Sequence, residues 1–529
     1  MAAIAAVVVF VISPGKGAST TGFTPTGSSP EQDAQQITTA FLQAWTAGNL
    51  GQASRYTDHP AAAEAALVTY RKYLNLRKLA GTAGSVTAAP GNSSTPRESV
   101  TENLKATVAT SDSPTALSGM WSYTSTLVAY QKPNSQLWYI AWAPDVVAPN
   151  LTASTHLAAV VAPPQIVSVT DSSGKNLTAY GDAGLNNISR DLMQMGSTAK
   201  GSPGLYVEIQ TAKGKPVPNS QAVVIAPNNI PSLATTIDPQ AEAAARAAVA
   251  MHKDSAMVVI QPSTGNILAI ANNAQDNDFA LTAQEAPGSS MKIITSTALI
   301  NAGLVTANSP VACPAAYTVQ GITYHNDQGE SEPASTPFSY DFAQSCNNAF
   351  TQWWPHMYGK LASTAKDYYG LNQDWDIGIA GLSASYFNAP PTASGSELAQ
   401  EDFGEGQLLA TPIAMASVAA TVDTGEFKQP IVVSGTKQVT ASPLPASTDA
   451  QLKEMMRDVV TEGTASAIGF GPDVYAKTGT ADIQGQEQPN SWFVAFDPNM
   501  DVAIGCLVVD AGYGAQFAGP EAKAFLDSY

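Results

Sequence analysis

A chain of 529 residues is too long for one ordinary hydrophobic core, so about two to four domains are expected. Hydrophobic residues make up 44% and charged residues only 13%, the balance of a globular protein. The net charge of -18 argues against a nucleic-acid partner, whose phosphates would be repelled.

In chain order, residues 2–12 are apolar but fall short of the roughly 20 residues a membrane span needs, and no basic segment precedes them. Residues 13–30, rich in Gly, Ser, Thr and Pro, read as a flexible linker. Helical periodicity over 35–45 ends at Gly48-Asn49, and strand-like runs follow at 121–130 and 137–142. Asp58 and His59 are the nearest candidates for acid–base work in this stretch, and they form no convergent constellation. A spacer or docking module is therefore preferred. Between 153 and 234 short apolar strands at 165–169 and 205–209 stand among Gly, Asn, Ser and Thr. Residues 257–270 then read as two strands around a tight turn, and 477–481, 492–496 and 502–509 as neighbouring antiparallel strands.

The chemistry-bearing pattern is a Ser-x-x-Lys at Ser289/Lys292, a Ser-x-Asn at Ser345/Asn347 and a Lys-Thr-Gly at Lys477-Thr478-Gly479. Ser-x-x-Lys recurs at Ser13/Lys16, Ser172/Lys175, Ser197/Lys200, Ser363/Lys366 and Ser434/Lys437. Context selects Ser289: it follows the loop signal Pro287-Gly288 and opens an apolar run with no breaker before Gly303. Serine and lysine three residues apart share one helical face. Ser363/Lys366 fits an ordinary exposed helix. Taken singly, Ser345-Cys346-Asn347 also suits a helix start or turn, and Lys477-Thr478-Gly479 the end of a solvent-facing strand.

Taken together and in this order, the three motifs are the signature of serine enzymes that acylate on penicillin-like or D-alanyl-D-alanine carbonyls. The chain resembles a class B penicillin-binding protein, a bacterial cell-wall transpeptidase. Gly404-Glu405-Gly406-Gln407 with Thr411-Pro412, Gly463-Thr464-Ala465, and the Ala-rich run after Asp238-Pro239 resemble further words of that family. The resemblance implies a multidomain α+β fold. Its penicillin-binding, serine β-lactamase-like transpeptidase domain, an antiparallel sheet flanked by helices, would span 235–529. A pedestal or dimerisation-like linker domain at 153–234 and a cone-shaped α+β domain at 31–152 would precede it, after the apolar segment and linker at 1–30. The helices-then-strands order of 31–152 resembles the nuclear transport factor two fold.

The resemblance also implies roles. Ser289 would be the nucleophile and Lys292, held neutral, its base, because a serine hydroxyl needs one. Burial, the positive helix end and Lys477 would lower the lysine's pKa from about 10.4. Ser345 would relay a proton, Asn347 would hold the substrate amide and fix Lys292, and Lys477, Thr478 and Thr480 would take a substrate carboxylate. Gly479 would let a ligand backbone lie close against an edge strand. The backbone N–H groups of Ser289 and Thr480 would form the oxyanion hole.

Expected partners are peptidoglycan stem peptides and β-lactams, with a membrane glycan polymerase as a further candidate. No cofactor is expected, and the five histidines show no metal-ligand spacing. The expected location is the cell membrane, N-terminally anchored with the catalytic domain outside. On that expectation residues 2–12 belong to a longer anchor; the alternatives are a trimmed secretory signal or an apolar tail. Cys313 and Cys346 suit either a disulfide or two small buried residues, and Cys506 suits a core position. A β-lactamase or D,D-carboxypeptidase of the same fold, or a non-catalytic β-lactam sensor or scaffold, are the alternative functions. The absence of Asp and Glu from 377–396 disfavours a deacylating glutamate of the class A β-lactamase kind.

Overall fold

The computed structural model describes residues 21–90, 94–195, 201–274, 278–379, 382 and 384–529. The apolar segment 2–12, most of the linker, and the pairs Ser13/Lys16 and Ser197/Lys200 lie outside the described residues. The chain divides into two compact units, Met1–Gln165 with Ser197–Asn229, and Ile166–Gly196 with Ile230–Tyr529. The stretch 153–234 is thereby shared between them. No helix among the described residues is long and apolar enough to cross a membrane.

In the first unit, helix α1 (Pro30–Thr46) starts where the Ser29 side chain accepts the Gln32 N–H and Pro30 takes an opening position. Its Ile37, Phe41, Leu42 and Trp45 are buried along one face. Helices α2 (Leu50–Arg55) and α3 (Pro60–Tyr73) follow. Strands β1 (Lys78–Ala88), β2 (Arg97–Ala109), β3 (Ser118–Gln131) and β4 (Trp138–Ala141) then form an antiparallel sheet in that order. The inner strand faces supply Val100, Leu104 and Leu127 to a core shared with Phe41 and Trp45. A second antiparallel sheet, β5 (Thr155–Ala162), β6 (Gly204–Thr211) and β7 (Ala222–Ile225), adds Leu157, Leu205 and Val207 to the same core. The strand expected at 165–169, which falls almost wholly in the second unit, is reduced to a bridge between Ile166 and Ile230 and a two-residue pairing at Val169–Thr170. Asp58 is engaged structurally: its carboxylate accepts the Trp142 N–H at 2.7 Å and the Tyr130 hydroxyl at 3.2 Å.

The second unit opens with α4 (Ala183–Met195) and then α5 (Pro239–Val249), capped by Asp238 through the Gln240 and Ala241 N–H groups. Its five-stranded sheet is antiparallel throughout. Strands β8 (Ser255–Ile260), β9 (Ile267–Asn273), β10 (Tyr475–Ala481), β11 (Asn490–Asp497) and β12 (Val502–Val508) take the order β9-β8-β12-β11-β10. Ser255 pairs with Val508, so the first and last strands of this sheet are neighbours and β10, bearing Lys477, is left at an edge. Every residue of β11 and β12 is buried, as a sheet covered on both faces requires.

Helices α6 (Lys292–Asn301) and α7 (Pro412–Thr424) belong to this core. Thr411 caps α7 by accepting the Ala414 N–H, and the helix is buried on all sides, its Ile413, Met415, Val418 and Val422 included. Each such side chain contributes on the order of 1.5–3 kcal/mol by leaving water. Helices α8 (Ala446–Thr461) and α9 (Ala518–Ser528) complete the frame.

Candidate active site

The loop before α6 determines where Ser289 sits. Residues Gly288–Met291 form one 3-10 turn, tied back by the Ser290 hydroxyl donating to Pro287 O at 2.7 Å, and α6 continues directly from it. Gly288 has φ +53, the left-handed region that favours glycine, and donates its N–H to Gly404 O at 2.9 Å. The Gly404-Glu405-Gly406-Gln407 segment is thus a buttress for the serine's loop. Ser289 is 5% exposed and Lys292, one helical turn on, is fully buried.

Lys292 Nζ lies 2.7 Å from each of three oxygens: Ser289 Oγ, the Ser345 carbonyl and Asn347 Oδ1. The carbonyl and the amide oxygen can only accept. A neutral amine therefore spends both of its N–H bonds on Ser345 and Asn347, and its lone pair is left facing the Ser289 hydroxyl. Burial, first of all, pulls the Lys292 pKa down to about 7, against the opposing pull of Asp327, Glu330, Glu405 and Asp341. A base that titrates near neutrality is therefore within bonding reach of the hydroxyl.

Ser345 meets both lysines because of its backbone. Its φ of +64 is unusual for a residue with a side chain, and costs on the order of 1 kcal/mol or more. In this conformation its carbonyl receives Lys292 while its Oγ accepts from Lys477 Nζ at 2.8 Å. Lys477 is fully buried on β10, and burial, followed by the nearby Lys292, holds its pKa well below the usual lysine range. The sequence expectation assigned Lys477 a share in lowering Lys292. In the structure, burial is the leading cause for both.

The Thr478 and Thr480 hydroxyls expected to meet a carboxylate are positioned by neighbours that the sequence did not single out as site residues. Thr464 Oγ1 lies 2.7 Å from Thr478 Oγ1, and Thr480 Oγ1 accepts the Gly514 N–H at 3.3 Å. Gly479 is also required by an approach within the chain. A Cβ there would sit 2.6 Å from Pro287 O and 2.7 Å from Trp492 Cβ, so the serine's own loop demands glycine. A Cβ on Gly288 would likewise sit 2.8 Å from Thr480 N, which measures how closely the two expected oxyanion donors' segments approach.

Cys313 and Cys346 form a disulfide across a Cα–Cα distance of 6.3 Å, tying the middle of the Ser-x-Asn motif to a loop 33 residues earlier. Asn326 reinforces this link: its amide donates to Pro314 O at 2.9 Å and Glu330 O at 2.7 Å, and its carbonyl accepts the Asn348 N–H. No signal in the sequence marks Asn326. Asp341 is close enough to both sulfurs to suggest a metal group, but the disulfide commits the sulfur atoms. Cys506 is buried in β12, where its thiol donates to Glu521.

Thus Ser289, Lys292, Ser345, Asn347, Lys477, Thr478, Gly479 and Thr480 come together in one cluster. Among the described rival pairs, Ser363 and Lys366 are exposed on the helix Lys360–Tyr369, and Ser172/Lys175 and Ser434/Lys437 lie outside helices.

Comparison with known proteins bears on the family and the fold. Residues 255–527 match the family described as the penicillin binding protein transpeptidase domain. The chain is 25% identical over 353 residues to the peptidoglycan D,D-transpeptidase PbpA of Mycolicibacterium smegmatis, covering 55% of this chain and 71% of that protein. Its fold is similar to that of Pseudomonas aeruginosa PBP2, with TM-score 0.54 and 18% identity over 69% of this chain and 96% of that one. Penicillin-binding protein 3 of Mycobacterium tuberculosis matches with TM-score 0.52 and 19% identity, over 70% and 96% of the two chains. The family match alone spans more than half of the sequence, and the chain belongs to the penicillin-binding protein transpeptidase family.

Proposed function

We propose that the protein is a class B peptidoglycan D,D-transpeptidase that works through an acyl-enzyme on Ser289. The observation that carries the reading is the contact of a buried, near-neutral Lys292 amine with the Ser289 hydroxyl at 2.7 Å. Lys292 takes the hydroxyl proton as Ser289 Oγ attacks the penultimate D-alanine carbonyl of a stem peptide. The N–H groups of Ser289 and Thr480 stabilise the oxyanion, and losing one such donor typically costs about a hundredfold or more. Ser345, bonded to Lys477 and facing Lys292, passes a proton to the departing D-alanine amine. Asn347 holds Lys292 in place and binds the substrate amide, while Lys477, Thr478 and Thr480 receive the terminal carboxylate. Attack by an amine of a neighbouring stem peptide then completes the cross-link. A penicillin, which presents the same carboxylate and a strained carbonyl, acylates Ser289 in the same way.

The proposal extends to the rest of the chain. Residues 31–152 act as a spacer of the nuclear-transport-factor-two kind, and membrane-bound glycan polymerases supply the strands. An extracellular workplace is supported by the Cys313–Cys346 disulfide, since such bonds persist in oxidising compartments, and membrane association is part of the same proposal. The testing experiment is a time course of labelling and release with a fluorescent penicillin. A long-lived adduct that vanishes in Ser289→Ala supports the transpeptidase, whereas turnover within seconds would replace it with a hydrolase.

A further inference from the structure

The first unit contains a cavity of about 440 Å³, inside the range of roughly 300–1,000 Å³ usual for small-molecule sites. Its walls come from α3, from the loop after β4, and from the start of β5. The cavity lies wholly within that unit and has no part in the chemistry at Ser289.

The lining is chemically unusual for a chain of net charge -18: it contains no Asp, Glu, Lys or Arg. His156 is its one imidazole, and partial burial shifts that group toward its neutral form. Aromatic surface comes from Tyr70, Tyr73 and Trp142, with the Tyr73 ring 4.1 Å from the His156 ring. Opposite to this apolar character stand short hydroxyl side chains. Thr152 Oγ1 lies 3.2 Å from Ser154 Oγ and 3.0 Å from Thr155 Oγ1 along the loop.

Room is left by α3, which presents Ala62, Ala65, Ala66 and Thr69 at helical spacing. The inner wall is held rigid. Tyr123 bonds Tyr70 at 3.0 Å and donates to the Val147 carbonyl at 2.9 Å, and Trp45 packs edge-on against Tyr70.

Flat aromatic faces beside uncharged hydroxyls fit a ligand with one apolar C–H face and many neutral hydrogen-bonding groups. An ionic peptide would find no charged side chain in the lining itself, the Lys72 amine standing over the Tyr73 ring at 5.2 Å, and an aliphatic chain would leave the hydroxyl rim without use. We propose that this cavity is a binding site for an uncharged, N-acetylated glycan. The choice of an N-acetylated sugar rests on the peptidoglycan reading above, because the glycan is the part of that substrate the Ser289 cleft does not address. The site would hold the strand while the stem peptide is processed elsewhere.

The test is titration of the full chain with tetra-N-acetylchitotetraose, followed by calorimetry. Saturable binding is expected, unchanged in Ser289→Ala and in protein already acylated by penicillin. Trp142→Ala should weaken it at least about tenfold, as loss of an aromatic anchor does. Because Trp142→Ala could disturb folding, Ala65→Phe is the second variant: Ala65 is exposed on α3, so the added ring fills the cavity without entering the core. It should remove binding while Ser289 labelling by fluorescent penicillin stays at the wild-type level. Absence of saturable binding at millimolar sugar, or equal affinity in Ala65→Phe, overturns the proposal. Normal labelling without glycan binding sinks this inference alone; glycan binding without labelling sinks the transpeptidase reading and leaves the cavity assignment standing.

Discussion

Two Ser-x-x-Lys pairs on helices of the same unit invite comparison. Ser289 and Lys292 are buried at the start of α6, with the amine held by two carbonyl-type acceptors from a distant motif. Ser363 and Lys366 stand exposed in the helix Lys360–Tyr369, and the Ser363 hydroxyl merely donates to Lys360 O one turn back. The spelling is identical, and only the first pair is desolvated, oriented and close to a second lysine. Desolvation is what turns a lysine into a base, because it penalises the ammonium and not the amine.

Substitution at both pairs is the sharpest way to break the comparison. Ser289→Ala should abolish covalent labelling by fluorescent penicillin, and Ser363→Ala should leave it unchanged. Label retained in the first variant would place the nucleophile elsewhere. Lys292→Ala is expected to slow acylation by about a hundredfold to ten-thousandfold, the usual share of a general base, with circular dichroism unchanged. Lys366→Ala should have no effect on the rate. Near-normal acylation in Lys292→Ala would remove the lysine from the mechanism.

The pH profile tests the cause of the difference. With a pKa of about 7, Lys292 is an ammonium without a lone pair below neutrality and a free amine above it. The acylation rate constant should therefore drop by about tenfold per pH unit below 7 and level off above it. An ordinary exposed lysine would give no plateau until about pH 10.4. A rate that keeps climbing to pH 9 would show that burial does not tune this amine.

Much of the site is legible in the chain because its parts are local. A loop signal, a serine and an unbroken apolar helix can be read within 287–300, and the continuous apolar run at 492–496 betrays the strand beside β10. What escapes is contributed by residues that matter only after folding. Thr464 and Gly514 reach the Thr478 and Thr480 hydroxyls from separate loops, and Asn326 clamps the Ser-x-Asn turn from a hairpin. Gly479 is legible as a glycine, but one further constraint on it is not, since a carbonyl that excludes a side chain belongs to Pro287. Strand β1 is hidden for a different cause: two glycines and mostly exposed positions along Lys78–Ala88 erase the alternation that marks a half-buried strand. The two cysteines suit a bond or a pair of buried thiols until the fold brings their Cα atoms to 6.3 Å.

The smallest expected effect concerns one of those unforeseen neighbours. Thr464→Val keeps the shape of the side chain and removes the hydroxyl 2.7 Å from Thr478 Oγ1. A neutral hydrogen bond of this kind is worth about 0.5–1.5 kcal/mol net, so acylation should slow by roughly two- to tenfold. The loss should appear in the penicillin concentration needed for half-maximal rate, because Thr478 is assigned to carboxylate binding and not to proton transfer. Ser363→Ala, which removes a hydroxyl bonded only within its own exposed helix, gives the control with no change. A hundredfold loss in the limiting rate would instead draw Thr464 into the reacting cluster. That outcome would extend the buried, mutually oriented network around Lys292 to the far side of β10, and so widen the contrast with the exposed pair.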